Sequence, residues 1–207
     1  MWARVKASQV IEIINGAKAM TIDGTQYPAS IFKIWSAADL KAKGLYSYSE
    51  TGHKDTFYYN MGAISYTVDD SAGTVVGTYA STPKGMDDVK WTSKEISDGD
   101  APEGATTDTV KTKGLKTLWK EKIKASAASL IAPYDWYSLR KAQAGTAIPS
   151  DINTYMNAVR TASAVNEANV ASTANVTQMI ERASDTFDKD GKWTANSVYN
   201  EWPTPLD

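Results

Sequence analysis

The chain contains no cysteine and a single histidine, His53, among 207 residues. Without thiols there is no Cys nucleophile, no Cys-ligated zinc, no iron–sulfur cluster and no disulfide framework. One histidine is too few for the usual multi-His metal sites. An excess of charge is missing as well: 22 Lys+Arg stand against 24 Asp+Glu, a net charge of −2. That balance does not supply the basic surface on which a general nucleic-acid binder relies. No apolar run approaches the roughly 18 residues of a membrane-crossing helix. Met1–Lys6 also lacks the apolar stretch of a signal peptide, so the expectation is synthesis in a cytoplasm and no membrane partner.

What the chain has in quantity is amphipathic aromatic surface, seven Trp and eleven Tyr against three Phe. Such rings serve ordinary cores and also protein–protein interfaces, where their polar edge stays wet. A chain of this length can bury roughly 70% of its unfolded surface, so it has no need of disulfides or structural metal.

Local signals divide the chain into an N-terminal β domain (about 1–82), an acidic loop or linker (83–108), a helical domain (109–184) and an extended tail (185–207). In the first part Asp23-Gly24 predicts a type I′ hairpin. Ser36-Ala37-Ala38-Asp39 reads as a capping box opening a short helix over 37–43, with Gly44 as its stop. The β-prone runs 57–61, 64–68 and 74–79, with Asp69–Gly73 as a turn, predict an antiparallel meander. Over 86–108 seven acids face two lysines among scattered Gly and Pro, which reads as loop. From Thr109 onward Leu115, Leu118, Trp119, Ile123, Ala127, Leu130 and Ile131 recur at helical spacing up to Pro133. Asp135 is placed to cap a short helix ending at Gly145. Pro149-Ser150 opens another, with Ile152, Tyr155, Met156 and Val159 on one face, and a last helix begins near Thr173. The expected fold class is α+β: an N-terminal antiparallel β domain with a short helix, then a C-terminal helical hairpin or small bundle.

Catalytic signals are thin. His53 lies in a polar loop without a recognisable nucleophile or orienting acid. Ser138-Leu139-Arg140-Lys141 has the S-x-x-K spacing of acyl-transfer serines but none of the accompanying elements. Asp188-Lys189-Asp190-Gly191 resembles the start of a calcium loop, yet alignment on Gly191 puts Thr186 and Ser197 where carboxylates belong, leaving a surface turn. No glycine-rich phosphate loop is present. Residues 108–141 carry eight bases against three acids, and 150–207 eight acids against four bases. This polarity suits a solvated face or a complement within or between subunits better than a phosphate site. The expectation is a non-enzyme without cofactor or metal.

Two stretches carry a resemblance. Tyr27-Pro28-Ala29-Ser30-Ile31-Phe32, then Trp35-Ser36-Ala37-Ala38-Asp39-Leu40 and Gly44-Leu45-Tyr46, form one. The other is Lys122–Ala125 with Leu130, Asp135-Trp136-Tyr137, Arg140-Lys141, Gly145, Ile148-Pro149, Tyr155, Val159-Arg160 and a closing Trp202-Pro203. Together they resemble tail-fibre and tail-fibre-assembly-like proteins of tailed bacteriophages, as found in marine and cyanobacterial phages. The resemblance implies a virion structural protein of the tail region (fibre, baseplate or neck attachment), with other tail proteins as partners and a homo-oligomeric state. It leaves a tail-fibre assembly chaperone as the alternative and a host glycan-binding protein as a third reading. The candidate interface or packing residues are Trp35, Trp119, Asp135, Trp136, Tyr137, Arg140, Tyr155, Arg160 and Trp202. If Trp136 staples two helices together, its truncation to Ala costs roughly 3–5 kcal/mol.

Overall fold

The computed structural model describes residues 1–206. The fold is α+β, and its contacts separate into two units, Met1–Pro83 and the chain from Lys84 onward.

The first unit is a curled five-stranded sheet. Its strands are β1 (Trp2–Lys6), β2 (Gln9–Ile14), β5 (Leu45–Thr51), β6 (Tyr59–Asp69) and β7 (Thr74–Pro83), in the order β2-β1-β5-β7-β6. Between β2 and β5 the chain forms a small ribbon, β3 (Met20–Ile22) with β4 (Thr25–Tyr27), and two short helices, α1 (Ile31–Ile34) and α2 (Ala37–Ala42). The β3–β4 turn has positive φ at both Asp23 and Gly24, as a type I′ turn requires. The capping box on α2 is formed in full: Ser36 Oγ accepts from the Asp39 N–H at 3.1 Å while the Asp39 carboxylate accepts from the Ser36 N–H at 3.2 Å. Gly44, at φ 70°, follows directly after this helix.

Each sheet face is covered. Ile14 and Leu45 pack with Met20, Ile22, Ile31, Phe32 and Leu40 on one side. Ala3, Val5, Tyr46, Tyr48 and Val75 fill the other, with Ile13, Ile64 and Val68 at its margin. Burial of side chains such as Ile14 and Leu45 stabilises by about 1.5–3 kcal/mol each.

The expected meander is corrected at one pair. β6 and β7 form the antiparallel hairpin, but β7 runs parallel to β5, with Ser47 opposite Thr74 and Thr51 opposite Thr78. The chain leaving β5 skips one strand position, descends as β6 on the edge and returns as β7 between them. Local turn chemistry fixes the hairpin but says nothing about which of its strands inserts. The connection 52–58 passes close over β7: a Cβ on Gly52, at φ 79°, would stand 2.7 Å from the Tyr79 carbonyl oxygen.

In the second unit the segment read as a loop, 83–108, holds β8 (Val89–Lys90) and α3 (Ser93–Ser97). β8 pairs with β9 (Val110–Thr112), and α3 carries its own capping box, Thr92 with Glu95. The four helical segments that follow are α4 (Leu115–Ile131), continued by a 3₁₀ turn at Ala132–Tyr134, α5 (Asp135–Ala144), α6 (Ser150–Ala171) and α7 (Val176–Ala183). α4 begins six residues later than the pattern from Thr109 suggested, because chain 85–88 terminates it. Gly85 and Met86 carbonyls accept from the Leu115 and Lys116 N–H groups, and Asp88 Oδ1 accepts from the Gly114 N–H at 2.7 Å. These acceptors satisfy donors that a helix start leaves unpaired. Asp135 is corrected as well: the 3₁₀ turn leads straight into α5, so Tyr134 takes the cap position and Asp135 is the first helical residue, without a side-chain cap. The last helix begins at Val176 rather than near Thr173, capped by Asn175, whose side chain accepts from the Gln178 N–H. The tail is not simply extended; it contains a ribbon, β10 (Thr186–Phe187) with β11 (Trp193–Ala195).

Two outcomes follow from these contacts. Gly52→Ala strains a left-handed backbone and meets the β7 carbonyl, so chemical denaturation should show a loss of about 2–3 kcal/mol in the first unit. Glu95 accepts from the Lys111 ammonium and from the N–H and hydroxyl of Thr92, which lowers its pKa from 4.5 to about 2. A depressed carboxylate stabilises the fold above its unfolded pKa and loses that contribution as pH falls through the folded value. Thermal unfolding followed downward from about pH 6 should show the wild type losing stability between about 4.5 and about 2, and Glu95→Gln should flatten that limb relative to wild type.

Candidate protein interface

The candidate residues separate into three environments. Trp35 is half-buried in the first unit, edge-on to Tyr27 with ring centroids 5.3 Å apart and packed on the Ile14–Leu45 side of the sheet. Trp119, Tyr155 and Trp202 belong to the packed interior of the helical unit. Tyr155 is 5% exposed, edge-on to Tyr134 at 5.4 Å, and burial raises its phenol pKa. Trp119 tilts against Tyr199 at 5.2 Å with the Lys122 ammonium 4.8 Å from its centroid. Trp202 packs on Ala127, Tyr155 and Val159, and its indole N–H donates to Asn200 Oδ1 at 2.8 Å. Arg160 is exposed on α6 and donates to Asn157 Oδ1 at 3.0 Å.

Asp135, Trp136, Tyr137 and Arg140 are brought together on α5. This helix has no buried residue. Its apolar positions, Trp136 and Leu139, find no continuation at Gln143, so there is no stripe to bury. The expected helix-to-helix staple is therefore corrected: Trp136 is 50% and Leu139 58% exposed. Trp136 instead lies against its neighbour Tyr137, centroids 3.8 Å apart, and the Arg140 guanidinium covers both rings at 4.8 and 5.0 Å. Cation–π contacts of this kind contribute about 0.5–1 kcal/mol at exposed sites. The buried Nε of Arg140 has no hydrogen-bond partner among the described residues. An unsatisfied buried donor costs about 1–3 kcal/mol.

A second exposed aromatic pair escaped the sequence reading. Phe187 and Trp193 are opposed across the β10–β11 ribbon, 60% and 54% exposed. The clue was the Asp188–Gly191 turn between them, where Asp188 Oδ1 accepts from the N–H groups of Asp190 and Lys192. His53 is a loop residue, as read, but tethered: its Nε2 lies 3.1 Å from Glu50 Oε2 and its ring 4.3 Å from Tyr79. Glu50 also accepts from the Tyr48 hydroxyl, and these bonds hold its carboxyl below the usual range. Two lysines of α4 and one just before it have carboxylate partners within the helical unit. Lys113, Lys116 and Lys124 pair with Glu121, Asp87 and Glu167 at 2.5, 3.1 and 3.5 Å.

No group of three or more His, Cys, Asp or Glu side chains is placed to hold a metal among the described residues. Likewise, no described helix is long and apolar enough to cross a membrane. Comparison with protein-family models, with curated proteins and with solved structures finds no match to this chain.

The sorting of the candidates has a direct readout in denaturant unfolding. Tyr155→Ala empties a buried site and should cost roughly 3–5 kcal/mol. Trp136→Ala, on the open face of α5, should cost about 1 kcal/mol or less.

Proposed function

We propose that the chain is a non-enzymatic assembly protein of the tail region of a tailed bacteriophage, resident in the virion and holding fibre, baseplate or neck components to one another. The observation that carries the docking role is the Trp136–Tyr137–Arg140 stack on α5, a helix with no fully buried residue. Trp, Tyr and Arg are the residue types in which interface binding energy concentrates. Here they are pre-assembled, so ordering them on contact costs little conformational entropy. The tail-region assignment is supported by the resemblance of segments 27–46 and 122–160, and the latter contains this stack.

The single histidine and missing thiols agree with a part selected for fit rather than chemistry. Quantitative mass spectrometry of purified particles of the encoding phage is the test. Recovery in fixed stoichiometry with other tail proteins is expected, and absence from the particle overturns virion residence. A folded chain carrying Trp136→Ala with Arg140→Ala should be incorporated at least about tenfold less, as loss of about 1.4 kcal/mol or more at a hot spot implies. Unchanged incorporation of that variant would remove α5 as the docking surface.

A further inference from the structure

The end of the chain sits on α6 as a bound peptide would. Asn166 is 1% exposed, and its Nδ2 donates to the Glu201 carbonyl at 3.2 Å; Asn169 Nδ2 donates to the Val198 carbonyl at 3.5 Å. Residues three apart share a helix face, so two amides in one row read two main-chain carbonyls three residues apart. Farther along the same helix end, the Thr173 and Tyr199 hydroxyls share a hydrogen bond, with both residues at most 2% exposed. Trp202 and Leu206 enter the hollow lined by Ala127, Tyr155 and Val159. Main-chain bonds that supply affinity and spaced side-chain seats that supply specificity are the two parts of extended-peptide recognition.

The covalent link to this segment is loosely held. Every residue from 185 to 196 is exposed, and within this stretch the β10 and β11 strands pair only with each other. A two-stranded ribbon with nothing packed on it is marginal in water. Opened, its twelve residues reach up to about 40 Å.

We propose that the α6 groove takes segment 197–206 from a second copy of this chain, the two copies exchanging their C-terminal segments. Because the incoming segment is identical to the one displaced, every hydrogen bond and seat of the groove is regained, and only the ribbon is given up. Two opened ribbons crossing side by side can cover Phe187 and Trp193, which are 60% and 54% exposed in the closed form. Exchange of an identical element is a low-cost route to a symmetric dimer. The inference stands on the groove and its hinge, and holds whether or not the chain is a tail component.

The test uses full-length chains and the absence of native cysteine. A Val165→Cys chain, altered at an exposed α6 position beside Glu201 and Trp202 that makes no hydrogen bond to the segment, and a Val198→Cys chain, carrying different affinity tags, are mixed at high concentration and joined with a short bis-maleimide. Exchange predicts a mixed covalent dimer, captured through both tags, at least about tenfold above a Val165→Cys with Thr25→Cys control, because the groove raises the local concentration of one thiol at the other. Adding Tyr199→Ala to the Val198→Cys chain should reduce that dimer to the control level. If Tyr199→Ala loses its helical circular dichroism, Tyr199→Phe, which keeps the ring and drops the shared hydroxyl bond, replaces it and should reduce the dimer several-fold. A mixed dimer no more abundant than the control, or one indifferent to Tyr199, overturns the proposal.

Discussion

A buried asparagine must find a partner or it costs the fold several kilocalories, and Asn166 finds its partner outside the helices, in the Glu201 carbonyl. Much of the helical unit is organised by that requirement. α4 and α6 each offer one apolar stripe, and two facing stripes leave open flanks. The flank beside Ala127, Tyr155 and Val159 is closed by Tyr134 from the 3₁₀ turn and by Trp202 and Leu206 from the tail. A segment without helical or strand hydrogen bonds must satisfy its backbone elsewhere. Asn166 and Asn169 do this for Glu201 and Val198, while Asp185 accepts from the Ser197 N–H. The polar side chains inside this helical core are thus the condition on which irregular chain is allowed to finish it.

The β unit meets the same constraint differently. β5 is buried on both faces at Leu45 and Tyr46, so each side needs a cover. On one side α1, α2 and the β3–β4 ribbon supply it; on the other the curl of the sheet brings β2 and β6 toward one another. The outer turns are tied by the Asp70 carboxylate, which accepts from the hydroxyls of Ser8 and Tyr46 and has its pKa lowered by them. The parallel β5–β7 pair follows from the insertion of β7 beside β5, and Gly52 is the residue that lets the connection pass close enough.

What was legible in the sequence was local. Asp23-Gly24, the Ser36–Asp39 box, Pro149-Ser150 and the Gly145 stop each act through contacts within four residues, and all appear where their chemistry puts them. Thr92-Ser93-Lys94-Glu95 has the same spacing as the Ser36 box and opens α3, inside a segment that its acids, Gly and Pro make read as loop. The remaining differences come from partners far along the chain. The start of α4 depends on carbonyls about 30 residues earlier and the tail on α6 amides about as far back; periodicity carries no trace of either. Trp136 shows the opposite failure. A tryptophan beside a helix start suggests a core anchor, but its worth depends on a stripe that α5 does not continue.

That failure bears on how the surface divides. Of the lysines over 111–124, which a charge count makes the most prominent patch in the chain, Lys113, Lys116 and Lys124 are met by Glu121, Asp87 and Glu167. These are largely exposed pairs, worth about 0–1 kcal/mol each, so they contribute little stability but locally neutralise much of what an anionic partner would otherwise recognise. The α5 stack is different in kind. Its rings and guanidinium offer a short-ranged, shape-dependent contact rather than a long-range field. The ribbon bearing Phe187 and Trp193 is different again, because its exposed rings are carried on backbone edges that are themselves open to pairing. A rigid helix face suits a fixed partner, whereas an openable ribbon suits a partner that is another copy of the chain. One short helix and one short ribbon therefore leave the helical unit with two exposed aromatic surfaces that differ in physical kind.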